Sequence, residues 1–183
     1  DMRMDLEAPL TAYEIVNSWS GDELRRILYE YGEERFSAKI ASAICKRRTD
    51  KPIETTRELV DIINSSMPKK VALKGPHKAK RTFQAIRIEV NNELGGLKAV
   101  LPDMFGLLNK DGVLAIITFH SLEDRIVKQS FSTLSSGCEC PRSFPVCVCG
   151  KVPTVKVITK KVVTACKEEV EENPRARSAK LRV

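Results

Sequence analysis

The residues able to do chemistry fall into three clusters. In the first, Cys138-x-Cys140 and Cys147-x-Cys149 are separated by six residues and flanked by Gly137, Pro141, Pro145 and Gly150. Four thiolates on a tight, Pro-kinked loop suit one tetrahedral zinc ion. The C-x-C spacing is narrower than the commoner C-x-x-C, so spare thiols or an oxidation-prone pair are the other reading. In the second, His77, Lys80, Arg81, Gln84 and Arg87 gather at a helix entrance. Lys80, Arg81 and Arg87 suit phosphates, Gln84 suits a base edge, and helix N-terminal amides favour phosphate too. Phe83 could stack on a base, but it opens an apolar stripe and reads better as core. The third is Phe119-His120-Ser121, where an apolar run gives way to polar residues.

Each cluster needs an element to position it. Val113 to Phe119, preceded by the turn Asp111-Gly112, reads as a strand buried on both faces of a parallel sheet. Ser121 stands three residues before Asp124 and is expected to cap a helix beginning at Leu122. A strand, a polar turn and a helix put His120 and Ser121 at the carboxyl edge of a sheet, where open α/β folds bind ligands. The alternative is that both residues merely cap and space the turn.

Upstream, residues 8–66 read as short helices with three capping boxes: Thr11 with Glu14, Ser20 with Glu23, Thr55 with Glu58. A basic connector over 67–81 leads into a long apolar stripe from Phe83 to Leu108, with a bend expected at Gly95-Gly96 or Pro102. Val155 to Val163 mixes β-branched residues with Lys, as an edge strand does. Arg177 to Val183 could add one more strand. The fold class is therefore α/β, with helices in front of part of a sheet.

The 183 residues suit one domain or one with a modest insertion. A net charge of +7 points to an anionic partner, nucleic acid first. No apolar stretch is long enough to span a bilayer and no secretory signal opens the chain. The cysteines are accordingly read as reduced thiols of a cytoplasmic protein.

Several blocks together resemble one family. D-M-R-M-D at 1–5, Y-G-E-E-R-F at 31–36, K-R-T-F-Q-A-I-R-I at 80–88, F-H-S-L-E-D-R-I-V-K at 119–128 and E-N-P-R-A-R-S-A-K-L-R at 172–182 are similar to the RsmH (MraW) family. These are bacterial enzymes that methylate the exocyclic N(4) of a cytidine in 16S ribosomal RNA. The resemblance implies the C-terminal part of a class I, Rossmann-like methyltransferase fold using S-adenosylmethionine. Residues 1–7 would end an upstream methyltransferase segment and 8–75 would form a helical insertion on the substrate side. Residues 76–183 would form the C-terminal half of the sheet, with the Cys-rich loop at 137–150. The family's main cofactor residues would lie upstream of Asp1, so no cofactor-binding residue is expected in this stretch, no residue of it is assigned a catalytic role, and alone it would be inactive. The implied partner is 16S rRNA or the small ribosomal subunit. A departure is His77-Lys78, where the family usually has His-Pro. The alternative is a non-enzymatic RNA- or ribosome-binding module with a four-cysteine zinc loop.

Overall fold

The computed structural model describes residues 1–68, 79–138, 140–141 and 143–183, so His77 lies outside the described residues. They form two compact units, 1–93 and 94–183.

In the first unit, Thr11, Ser20 and Thr55 each accept a hydrogen bond from the backbone N–H three residues on. Glu14, Glu23 and Glu58 reach back to the capping residue's own N–H. These three boxes satisfy amide donors that a helix start leaves unpaired. They open α1 (Ala12–Ser18), α2 (Gly21–Glu30) and α4 (Thr56–Ser66), while α3 (Ser37–Asp50) starts without a side-chain cap. With α5 (Lys80–Val90), these helices enclose one apolar core. Ile15, Leu24, Ile27, Leu28, Ile40, Ile44, Ile63 and Ile86 are all essentially excluded from water. Such burial is worth about 1.5–3 kcal/mol for each large aliphatic side chain. Polar ties fix the connections: Asn17 exchanges two hydrogen bonds with the backbone of Ile53, at 3.0 and 2.8 Å. Arg48 donates to the carbonyls of Val16, at 2.7 Å, and Trp19.

The long apolar stripe is interrupted, but not where glycine and proline predict. The break falls at Asn91-Asn92, between α5 and α6 (Glu93–Gly106), with Asn92 at φ 46°. Asparagine tolerates that left-handed conformation better than most residues. Asn91 is drawn into a tertiary contact: it donates to the carbonyl of Met2 at 2.9 Å and accepts from the amide of Met4 at 2.7 Å. Gly95, Gly96 and Pro102 lie inside α6.

In the second unit, β1 (Ile116–Thr118) leads into α7 (Ser121–Ser135). Then follow β2 (Val163–Thr164), α8 (Lys167–Glu172), a 3₁₀ turn (Pro174–Ser178) and β3 (Lys180–Arg182). The strand order is β1-β3-β2, antiparallel throughout, with Ile117 and Val163 both opposite Leu181. The expected strand over 113–119 is thus shorter than predicted and is not buried on both faces. Val113, Ile117 and Phe119 are 61%, 59% and 56% exposed, whereas Thr118 is buried. The reason is cover: α7 packs on β1 and β3, burying Leu122, Val127 and Phe131, and nothing among the described residues of this unit covers the opposite face. Phe131 also meets Phe105 edge-on, with ring centroids 5.3 Å apart.

The segment 155–162, expected as an edge strand, makes no ladder. Ile158 and Thr159 instead donate to the carbonyl of Val183, at 2.9 and 3.0 Å, and only 163–164 pair with β3. Among the described residues no helix is long and apolar enough to cross a membrane.

Candidate functional site

The basic cluster sits on the first turns of α5, and glycine decides what that helix can approach. A Cβ on Gly32 would fall 2.6 Å from the Leu28 carbonyl oxygen and 2.9 Å from that of Arg81. Only a residue without a side chain lets the turn after α2 lie this close to α5. Arg81 then donates to the carbonyl of Glu33 at 3.2 Å, and Gln84 to that of Tyr31 at 3.4 Å. Within that turn, Glu34 is buried and accepts from the amide of Phe36 at 2.9 Å. The blocks Y-G-E-E-R-F and K-R-T-F-Q-A-I-R-I, 44 residues apart from Phe36 to Lys80 (80 − 36), therefore make one structure.

The opening block joins it. Arg3 holds both carboxylate oxygens of Asp1, at 2.8 and 2.9 Å, and donates to the carbonyls of Leu6 and Ala8, each at 2.8 Å. This grip and the Asn91 clasp hold Met2 at φ 71°, a conformation that costs a residue with a Cβ about 1 kcal/mol or more. Met2, Lys80, Phe83, Gln84 and Arg87 line a surface hollow of about 330 Å³. Lys80 projects into water, Phe83 is partly buried against the core, and Arg87 is paired with both oxygens of Glu93 at 2.8 and 2.9 Å. Met2 was not among the residues singled out from sequence. Its strained backbone is the signal, and that appears only in three dimensions. A second hollow, of about 430 Å³, is lined by Arg25, Arg26, Tyr29 and Arg35 together with Asp22, Ser37 and Ala38.

His120 and Ser121 do stand where β1 ends and α7 begins, but their tasks differ from expectation. The cap is His120, not Ser121: its Nδ1 accepts from the Glu123 amide at 3.4 Å. Glu123 reciprocates, taking the amides of Phe119 and His120 at 2.8 and 3.1 Å, and its other oxygen lies 3.4 Å from His120 Nε2. The helix consequently starts at Ser121, which is exposed. Asp124, expected as the capping partner, is taken elsewhere. Arg182 donates to both its oxygens, at 2.6 and 3.1 Å, and Lys180 stands 3.9 Å away. The hydrogen bond from Arg182 holds the Asp124 carboxyl below the usual carboxylate range, with the charges of Lys180 and Lys128 acting the same way. A salt link thus ties F-H-S-L-E-D-R-I-V-K to the closing block of the chain.

The four loop cysteines come together. Their sulfurs all lie within 4.8 Å of one another, and none is in a disulfide. The Cys140 amide favours the Cys138 thiolate, but hydrogen bonds with the Cys147 and Cys140 thiols, desolvation and the Cys149 thiol together outweigh it and leave the Cys138 thiol pushed up to about 12.

Helices enclosing an apolar core and a small antiparallel sheet make this a mixed α/β protein with a basic hollow built from its own sequence blocks. The chain belongs to the MraW methylase family, whose family model matches residues 1–183. It is 54% identical, over its whole length, to the ribosomal RNA small subunit methyltransferase H of Clostridioides difficile (strain 630). Likeness to the methyltransferase H proteins of Clostridium botulinum (strain Kyoto / Type A2) and Brevibacillus brevis (strain 47) is 60% and 53%, again over all 183 residues. In each case the chain spans only 58–59% of the relative's length.

Methyltransferases of this family imply S-adenosylmethionine, and among the described residues the turn between β1 and α7 does not fit it. A phosphate- or nucleoside-cradling turn of an open α/β sheet needs glycines between strand and helix. Here β1 passes into α7 through His120, whose ring is occupied by the helix cap.

Proposed function

We propose that this chain is the substrate-side portion of an enzyme that methylates the exocyclic N(4) of a cytidine in 16S ribosomal RNA. In this reading the fold is the C-terminal part of a class I, Rossmann-like methyltransferase. Residues 1–7 end the upstream segment, 8–75 form the helical insertion, and 76–183 form the C-terminal half of the sheet. S-adenosylmethionine supplies the transferable methyl group, held by the part of the longer relatives that this chain does not cover. The uncovered apolar face of β1 is what a helix packed on such a sheet would bury.

The single observation that carries the reading is the hollow of Met2, Lys80, Phe83, Gln84 and Arg87, built where three family-like blocks meet. N(4) of cytosine is a poor nucleophile because its lone pair is delocalised into the ring, so the enzyme must orient the amine and accept a hydrogen bond from it. Gln84 donates through Nε2 to Tyr31, which leaves its amide oxygen as an acceptor of the type that amine requires. Lys80 and Arg81 meet the flanking phosphates, and His77, outside the described residues, is a further candidate for RNA contact by residue type. Arg87, already neutralised by Glu93, sets the wall of the hollow. The target base leaves its stack to be reached. His120 and Ser121, at the end of β1, are further candidates for contact with the RNA. The partner is 16S rRNA or the small ribosomal subunit, and the compartment is the cytoplasm.

The test uses the full-length gene. Deleting it should remove N(4)-methylcytidine from small-subunit rRNA nucleosides measured by mass spectrometry. Complementation should restore it, and a Gln84→Leu version should restore it poorly while accumulating normally. An unchanged nucleoside profile in the deleted strain would refute the reading.

A further inference from the structure

We propose that Cys138, Cys140, Cys147 and Cys149 bind one zinc ion as a closed, structural site, a reading that does not rest on the methylation chemistry. The sulfurs are already placed for it. Cys147 Sγ lies 3.5 Å from Cys149 Sγ, which lies 3.9 Å from Cys138 Sγ, and all four fall within 4.8 Å of one another. Four Zn–S bonds of about 2.3 Å in a tetrahedron demand sulfur–sulfur edges of about 3.8 Å. A disulfide demands about 2.0 Å between only two of them.

The backbone is shaped to the same centre. The Cys140 amide points at Cys138 Sγ and the Val148 amide at Cys140 Sγ, both at 3.4 Å. Amide donors on sulfur favour the thiolates that a metal needs and orient them as ligands. Between the two pairs, the Phe144 amide donates to the Pro141 carbonyl at 3.0 Å, closing a turn that brings the second pair back to the first. Directly after Cys149, Gly150 takes φ 61°, which a residue with a Cβ rarely adopts, and this lets the chain leave the cluster at once.

Among the described residues, no apolar centre holds this loop together. None of its described side chains is buried, and Phe144, Val146 and Val148 are more than half exposed. A loop without a hydrophobic centre acquires its order from a metal, as small zinc domains do. Its return limb is moored to α7: Lys151 donates to the carbonyl of Thr133 at 2.9 Å, and Thr154 to that of Leu134 at 3.2 Å. All four coordination positions come from protein sulfur, with none left for water. The site therefore organises the loop and does not activate a substrate.

The protein, purified without chelator, should contain about one equivalent of zinc by elemental analysis. A Cys147→Ser/Cys149→Ser version should lose it while keeping the Trp19 fluorescence transition of the first unit. Exchange into Co²⁺ should give thiolate charge-transfer bands and the visible absorption of a tetrahedral centre. Chelation should raise protease cleavage within 136–153. Zinc below about a tenth of an equivalent together with a featureless cobalt spectrum would overturn the assignment. So would iron in place of zinc, or two disulfides in the freshly isolated protein.

Discussion

The two units are stabilised by different means. The first is an oil-drop assembly: isoleucines and leucines from five helices share one dry centre, and polar contacts mostly trim the helix ends. The second has few buried apolar side chains, chiefly Leu101, Leu122, Val127 and Phe131, with three short strands. It leans on discrete links instead: a histidine cap, an Asp124–Arg182 clasp and a cysteine cluster. A dispersed core is robust to pH and metal but sensitive to cavities. A clasped unit should show the opposite sensitivities.

The largest effect should come from the centre of the first unit. Ile44→Ala should cost about 3–4 kcal/mol, read from the Trp19 fluorescence transition in urea, with the same loss at neutral and mildly acidic pH. A loss under about 1 kcal/mol would mean the core is looser than the burial of Ile44 indicates. Next, Asp124→Asn should remove a charge-assisted pair worth about 2 kcal/mol, seen as faster amide exchange in α7 and β3. Because Asp124 is held below its ordinary range, its stabilisation is complete above about pH 4 and fades as the pH falls further. The Asn version should lack that acid-dependent component, and an identical acid profile would show that the clasp does not carry it. The smallest effect tests the cap. His120→Ala should cost about 1 kcal/mol of α7 stability, and His120→Asn should recover most of it. If Asn recovers stability but full-length enzyme carrying it loses turnover, the imidazole has a task beyond capping.

The legible parts were those decided within a few residues. S/T-x-x-E spacing gave the three capping boxes, and helical periodicity placed Leu24, Ile27, Leu28, Ile40 and Ile44 in the core. The misread parts were decided at a distance. In F-H-S-L-E-D, Ser121 with Asp124 and His120 with Glu123 are overlapping candidate caps. The second pair prevails because Arg182, 58 residues away, takes Asp124. The helix break likewise follows Asn91's bonds to Met2 and Met4, which outweigh the local signal of Gly95-Gly96. Of the candidate site, the cluster on α5 and the four cysteines were visible by residue type. Met2 was not, because nothing in D-M-R-M-D announces a left-handed methionine.

One feature of β1 also bears on how the chain behaves in solution. Val113 to Phe119 is seven residues without charge or proline, rich in β-formers, and three of its large side chains face water. One edge of β1 is unpaired among the described residues. Such a segment is a template for strand addition between molecules. The net charge of +7 opposes this by repulsion, and salt screens that repulsion over about 10 Å at 0.1 M. Colloidal stability at low ionic strength would then give way to self-association as salt rises, the reverse of ordinary salting-in.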